Sequence, residues 1–161
     1  MATTATTPVS LGSIVRGEQT FNDFLGLSAH QIQAIAVMGH QLLEQGQTAD
    51  AIRIFEGLTA VDSKSYFGYA GLGAAHLIAG RLEDAAQALG RAIQLDSEDP
   101  TVQANLGEAL LRQGRFEEAK PHLHRAMDLD PDRRDSGANR ARAILLGISA
   151  AIANEDKKGA I

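Results

Sequence analysis

Four sets of identical residues recur in register every 34 positions: Gly39, Gly73 and Gly107; Gly46, Gly80 and Gly114; Ala51, Ala85 and Ala119; Asp62, Asp96 and Asp130. Four more columns keep their type: Met38, Leu72 and Leu106; Leu43, Leu77 and Leu111; Phe55, Leu89 and Leu123; Val61, Leu95 and Leu129. Such a period demands stacked units, because a unit of this size cannot bury its apolar face alone and must cover it with the next one. Within each unit the apolar residues fall at three- and four-residue spacings, the mark of helices. The second glycine of each unit breaks the pattern, so each unit is predicted to be a helical hairpin turning at Gly46, Gly80 or Gly114, where a positive φ is cheap without a Cβ. The first glycines, Gly39, Gly73 and Gly107, fall inside the first helices, where Gly costs about 1 kcal/mol relative to Ala, so their recurrence predicts close helix contact.

Composition agrees with an all-α fold. The chain is 44% apolar but only 4% aromatic, so core volume must come from Ala, Leu and Ile packed closely. Helix starts are visible as Asp99-Pro100, an N-cap followed by proline at the first helical position, and as a capping box at Ser28-Ala29-His30-Gln31. Pro121, early in a second helix, removes a backbone donor and predicts a slight distortion near Glu117, short of a break.

Set against the pattern W-x2-L-G-x2-Y, A-x3-F, P, the first unit offers Ile35, Met38, Gly39, Leu42, Ala51, Phe55 and Ser63. The second offers Tyr69, Leu72, Gly73, His76, Ala85, Leu89 and Ser97; the third, Gln103, Leu106, Gly107, Leu110, Ala119, Leu123 and Pro131. The chain resembles the tetratricopeptide repeat family. The expected architecture is a tetratricopeptide-repeat helical solenoid with an N-terminal helical arm and a C-terminal capping helix. Its parts are a flexible N-terminus (1–16), an arm (17–31), three repeats (32–65, 66–99 and 100–133), a C-terminal helix (134–153) and a flexible tail (154–161).

In tetratricopeptide proteins the first helices line a concave surface. Positions 2, 5, 9 and 12 of each unit share one helical face. They are Gln33, Ala36, His40 and Leu43; Phe67, Ala70, Ala74 and Leu77; Thr101, Ala104, Glu108 and Leu111. Alanines leave room, Phe67 and the leucines give an apolar floor, and His40 and Glu108 add isolated polar contacts. Such a groove suits an extended peptide with spaced apolar anchors, whereas a clamp for a terminal carboxylate needs Lys, Arg and Asn on these positions. The competing role for the same apolar residues is burial against a neighbouring helix or a dimer partner.

The stretch Gly17-Glu-Gln-Thr-Phe-Asn-Asp-Phe24-Leu-Gly-Leu-Ser28 precedes the first repeat. Together with Asp50-Ala-Ile-Arg-Ile-Phe55, Tyr69-Ala-Gly-Leu-Gly-Ala74 and Gly107-Glu-Ala-Leu-Leu111, it makes the chain similar to the class II chaperones of type III secretion systems. The resemblance spans roughly residues 17 to 150. It implies a cytosolic chaperone for hydrophobic translocator proteins, holding an extended P-x-L-x-x-P segment in the concave groove. Its implied groove residues are Leu43, Phe67, Ala70, Ala74 and Leu77, with His40 and Glu108 as polar neighbours; Ala104 and Leu111 complete the face read from spacing. Members of that family often dimerise through the arm; here Phe21, Phe24, Leu25 and Leu27 are apolar enough to do so or to pack on the first repeat. This chain carries fewer aromatic side chains in its early repeats than is usual there.

Other functions find little support. A formal net charge of −5 disfavours a general nucleic-acid binder, which needs a basic surface. With zero Cys there are no disulfides, thiol nucleophiles or thiolate metal sites, and His122 and His124 lie two apart on a helix and face different ways, so no metal or other cofactor is expected. No secretory leader is visible in Met1 to Ser10, and Ala143 to Ala153 is too short to span a bilayer, so no membrane insertion is expected. No nucleophile, base and orienting group can be assembled, which argues against an enzyme. The competing non-catalytic function is a scaffold or regulatory adaptor that joins proteins through another surface. Arg133, Arg134, Arg140 and Arg142, interleaved with Asp132 and Asp135, read as a solvated surface.

Overall fold

Each Gly-centred turn closes as its sequence predicts. In the computed structural model, which describes residues 11–16 and 18–159, Gly46, Gly80 and Gly114 have φ of 75°, 73° and 77°. At the first turn the Gly46 N–H donates to the Leu43 carbonyl (3.0 Å) and the Gln47 N–H to that of Leu42 (2.8 Å). The pattern repeats at Gly80-Arg81 and Gly114-Arg115 and uses carbonyls the helix itself leaves unpaired. These turns join α3 (Ala29–Glu44) to α4 (Thr48–Val61), α5 (Tyr66–Ile78) to α6 (Leu82–Leu95), and α7 (Pro100–Arg112) to α8 (Phe116–Asp128). Two short helices, α1 (Leu11–Val15) and α2 (Phe21–Leu25), precede the hairpins, and α9 (Ser136–Gly159) follows them; no strand occurs among the described residues.

The glycines inside the first helices admit the largest buried side chains of the second helices. A Cβ on Gly39 would lie 2.5 Å from the Phe55 ring, one on Gly107 would lie 2.7 Å from Leu123, and one on Gly73 would collide with Leu89. Phe55, Leu89 and Leu123 are the largest fully buried residues, so each repeat trades a local helix penalty for the closest approach of its two helices. Ala51, Ala85 and Ala119, all buried, serve the same approach from the opposite helix. The recurring aspartates brace the connections between hairpins. Asp62 Oδ1 accepts from the Lys64 N–H, Asp96 Oδ1 from the Glu98 N–H and Asp130 Oδ1 from the Arg134 N–H, each at 2.9 Å.

Neighbouring repeats are stitched through their first helices. The Tyr66 hydroxyl donates to Asp99, the N-cap of α7, and Thr101 Oγ1 donates to Asp135 at 2.9 Å. Gln113 Nε2 reaches back to the Leu82 carbonyl at 2.7 Å. Both expected caps form: Ser28 and Gln31 make a capping box on α3, and Asp99 accepts from the Val102 N–H with Pro100 in the first turn. Helix α8 is continuous through Pro121.

Three boundaries differ from the sequence expectation. Part of the segment expected to be flexible, 1–16, forms α1, and the Glu18 and Gln19 N–H groups bond to the Ser13 carbonyl; residues 1–10 lie outside the described residues. At the other end α9 continues to Gly159, where a flexible tail was expected from 154. The expected C-terminal helix of 134–153 therefore starts two residues later and ends beyond it. Nor is the basic cluster all solvated. Arg142 donates to Asp130 (3.1 Å) and to the Met127 carbonyl (3.2 Å), and Arg140 pairs with Glu108 (2.9 Å) and bonds to Asn105. These contacts fasten α9 across α7 and α8.

His76, where the repeat pattern has Tyr, is 7% exposed and its Nδ1 has no partner among the described residues. Burial pushes its pKa below the usual histidine range. It borders a cavity of about 550 Å³ with Tyr69, Leu72, Asp84, Gln87 and Arg91. Replacing it with tyrosine removes an unpaired buried nitrogen, fills part of that space and sets a hydroxyl toward polar neighbours. His76→Tyr is expected to raise stability by about 1 kcal/mol, read as a higher thermal midpoint.

Candidate functional site

The face read from spacing divides into open and closed positions. On α3, Gln33 and His40 are exposed, Leu43 is half-buried against the first core cluster, and Ala36 is buried. On α5, Phe67 is 41% exposed, its ring edge-on to Tyr66 at 5.5 Å, and Ala70 and Ala74 are half-buried. On α7, Thr101, Glu108 and Leu111 are half-buried. The partly open residues therefore run across three successive first helices, apolar at Leu43, Phe67, Ala70, Ala74 and Leu111, with polar atoms at the two ends.

Two residues expected in the groove are core residues instead. Leu77 is 6% exposed and packs in a cluster with Ala85, Leu89, Val102 and Leu106. Its place at the C-terminal end of α5 puts it where α6 and α7 converge. Ala104 is 1% exposed, because α9 covers it together with Leu123, Ala126 and Ala141. The same helix restrains Glu108, whose carboxylate meets Arg140 at 2.9 Å and Arg112 at 3.7 Å. Glu108 is thus already paired, its carboxylate fixed between α7 and α9. Its bond to Arg140 is the site contact that the sequence reading missed.

His40 lies edge-on to Phe55, with ring centroids 5.2 Å apart. Although one edge of the ring is exposed, its packing against Phe55 partly desolvates it and pushes its pKa down, with Glu44 opposing, and burial does the same for His122, whose Nδ1 is 2.8 Å from Gln103 Oε1. For His40, His76 and His122 the folded state takes a proton only below the unfolded value of about 6.5. The unfolded chain therefore binds more protons below that pH, and stability falls as pH drops from about 6.5 through the lowered folded values, while it is flat above. The urea midpoint is expected to fall between pH 7 and pH 5, and to fall less in His76→Tyr.

In the arm, a capping box between Thr20 and Asp23 starts α2, and Leu27 packs half-buried on the first core cluster. Leu25 is exposed, and the side chains of Phe21 and Phe24 lie outside the described residues. No group of three or more His, Cys, Asp or Glu among the described residues could hold a metal ion. No helix among them is long and apolar enough to cross a membrane.

Two models of the tetratricopeptide repeat match residues 37–100 and 76–143, together 107 of the 161 residues. No curated protein matches the sequence. Among solved structures, the Yersinia enterocolitica type III secretion translocator chaperone SycD is 21% identical, with a TM-score of 0.69 over 80% of this chain and 98% of that one. At that identity the likeness is one of fold. PcrH in complex with the chaperone binding region of PopD is 26% identical (TM-score 0.68, 78% of this chain and 96% of that one). PcrH with the corresponding region of PopB matches at the same identity (TM-score 0.64, 73% and 97%). A Thermobaculum terrenum O-GlcNAc transferase is 28% identical, but the match covers only 20% of that chain (TM-score 0.61, 65% of this one).

Proposed function

The chain belongs to the tetratricopeptide repeat family, and from that premise we propose that it is a cytosolic chaperone for hydrophobic translocator proteins of a type III secretion system. It binds and does not catalyse. The observation that supports this function is the partly open apolar run on α3, α5 and α7, with Phe67 exposed one and two turns before the half-buried Ala70 and Ala74. The likeness to PcrH, which extends over nearly all of that chain and was solved with the chaperone binding regions of PopB and PopD, supports a segment of a client protein as the ligand. A protein that later inserts into a membrane carries segments that aggregate in water, and a groove that covers one of them keeps it soluble.

The bound segment is extended and of the P-x-L-x-x-P type. Its prolines set an extended backbone before binding, which reduces the ordering cost. Its leucine seats against Phe67, Ala70 and Ala74, with Leu43 and Leu111 at the ends, the His40 ring able to donate to a backbone carbonyl and the remaining acceptor capacity of the Glu108 carboxylate open to a backbone amide. Leu77 and Ala104 support this floor from beneath.

The second function the fold allows is a scaffold or regulatory adaptor that joins proteins through another surface. Titrating a labelled P-x-L-x-x-P peptide into the purified chain separates the two. Saturable binding supports the chaperone; no binding to several such peptides leaves the scaffold.

A further inference from the structure

His76 stands where the other two repeats have Leu42 and Leu110, and it brings to that apolar column a polar group the fold does not use. It is 7% exposed, and neither ring nitrogen has a hydrogen-bond partner among the described residues. An unpaired imidazole in place of a leucine costs stability with nothing inside the chain to offset it. Nδ1 is closed off from solvent, so Nε2 is the nitrogen that the bordering cavity of about 550 Å³ can reach. Half-buried Tyr69 and Leu72 form the floor beside it, and exposed Asp84, Gln87 and Arg91 on α6 form the rim. On α5 these floor residues take the face opposite Phe67, Ala70 and Ala74, so the cavity is separate from the groove.

We propose that this cavity takes an arginine side chain of a partner protein, its methylene stem on Tyr69 and Leu72 and its guanidinium between His76 and Asp84. The charges favour a cation. Burial keeps the imidazole neutral at pH 7, with one ring nitrogen able to accept. The carboxylates that act on it are Asp84 and Glu56, with Arg81 opposing, and neither carboxylate makes an ion pair or side-chain hydrogen bond among the described residues. An anion has less to meet. Arg91, at the other end of the rim, already gives an N–H to Gln94 (2.9 Å) and lies over the Tyr69 ring, 5.9 Å from its centre. A guanidinium fits better than an ammonium, because its planar fork can give one N–H to the imidazole and others to the carboxylate. Residues 84 and 91 are two turns apart on α6, about 10 Å along its axis, so an extended side chain anchored at Asp84 brings its own backbone carbonyl toward Arg91.

Titrating N-acetyl-arginine N-methylamide into the full chain while following the Tyr69 ring resonances by NMR tests this. The expected result is a saturable shift with a Kd on the order of 1 mM, an affinity within reach of one side chain. The uncharged citrulline analogue and the Asp84→Asn variant should each bind about tenfold more weakly. So should His76→Leu, which installs the residue of the other two repeats, with an unchanged helical spectrum. Phe67→Asp should leave this binding as it is, so the cavity and the groove are read separately. No saturation up to about 50 mM would overturn the inference. Equal binding of the citrulline analogue, or an undiminished shift in the folded His76→Leu chain, would do the same. Free arginine binding more tightly than its capped form would make the ligand an amino acid and overturn the partner protein as its source.

Discussion

Phe67→Asp is expected to leave the protein folded and to weaken binding of the translocator peptide by about 100-fold, the size of effect seen when a central apolar anchor is lost and a charge must be desolvated in its place. The side chain is 41% exposed in the free protein, so little core contact is removed beyond its edge contact with Tyr66. The backbone gains at the same time. Ser65 caps α5, which makes residue 67 the second helical position, where a carboxylate faces the unpaired N–H groups and positive end of the helix. Far-UV circular dichroism should match the wild type while fluorescence anisotropy of the labelled peptide loses its saturable rise. Phe67→Leu, which keeps an apolar anchor, should bind within about tenfold of wild type. Wild-type affinity in a folded Phe67→Asp would move the binding surface off the concave face.

What the sequence disclosed and what it withheld follow from the range of the interactions. The hairpin turns, the caps and the close approach of paired helices depend on residues within one 34-residue unit, and a φ requirement at Gly80 or a cap at Asp99 is written where it acts. Burial of Leu77 and Ala104 is decided by neighbours from the next hairpin and from α9. A face projected on one isolated helix cannot distinguish a residue that lines a groove from one that supports it. Phe67 and Leu77 share a face on α5, but only Leu77 lies where α6 and α7 close over it. The end of α9 escaped notice for a different reason. Its last turns lack an apolar stripe, yet Ala, Glu, Asp and Lys follow a helix already nucleated and anchored by Arg140 and Arg142, and most of these residues propagate a helix at little cost. The link from Glu108 to Arg140 joins residues 32 positions apart, and only the packing of α9 on α7 brings them together.

Leu77→Asp, the same kind of substitution ten residues further along α5, is expected to have the opposite outcome. Leu77 packs among Ala85, Leu89, Val102 and Leu106, and its carbonyl already accepts from the Gly80 N–H and from Arg112. Removing the leucine forfeits about 2–5 kcal/mol as a truncation alone, and a carboxylate left without a partner at that site adds its desolvation cost. Against a total stability of about 5–15 kcal/mol for a small domain, the sum is enough to unfold the second and third repeats, which share this cluster. The expected observations are a loss of helical signal at 222 nm at pH 7 and a collapsed urea transition. Loss of peptide binding by Leu77→Asp would therefore say nothing about the groove, whereas loss by Phe67→Asp would. A Leu77→Asp chain that folds with a wild-type midpoint would return Leu77 to the solvent-facing floor and reverse the assignment of these two residues.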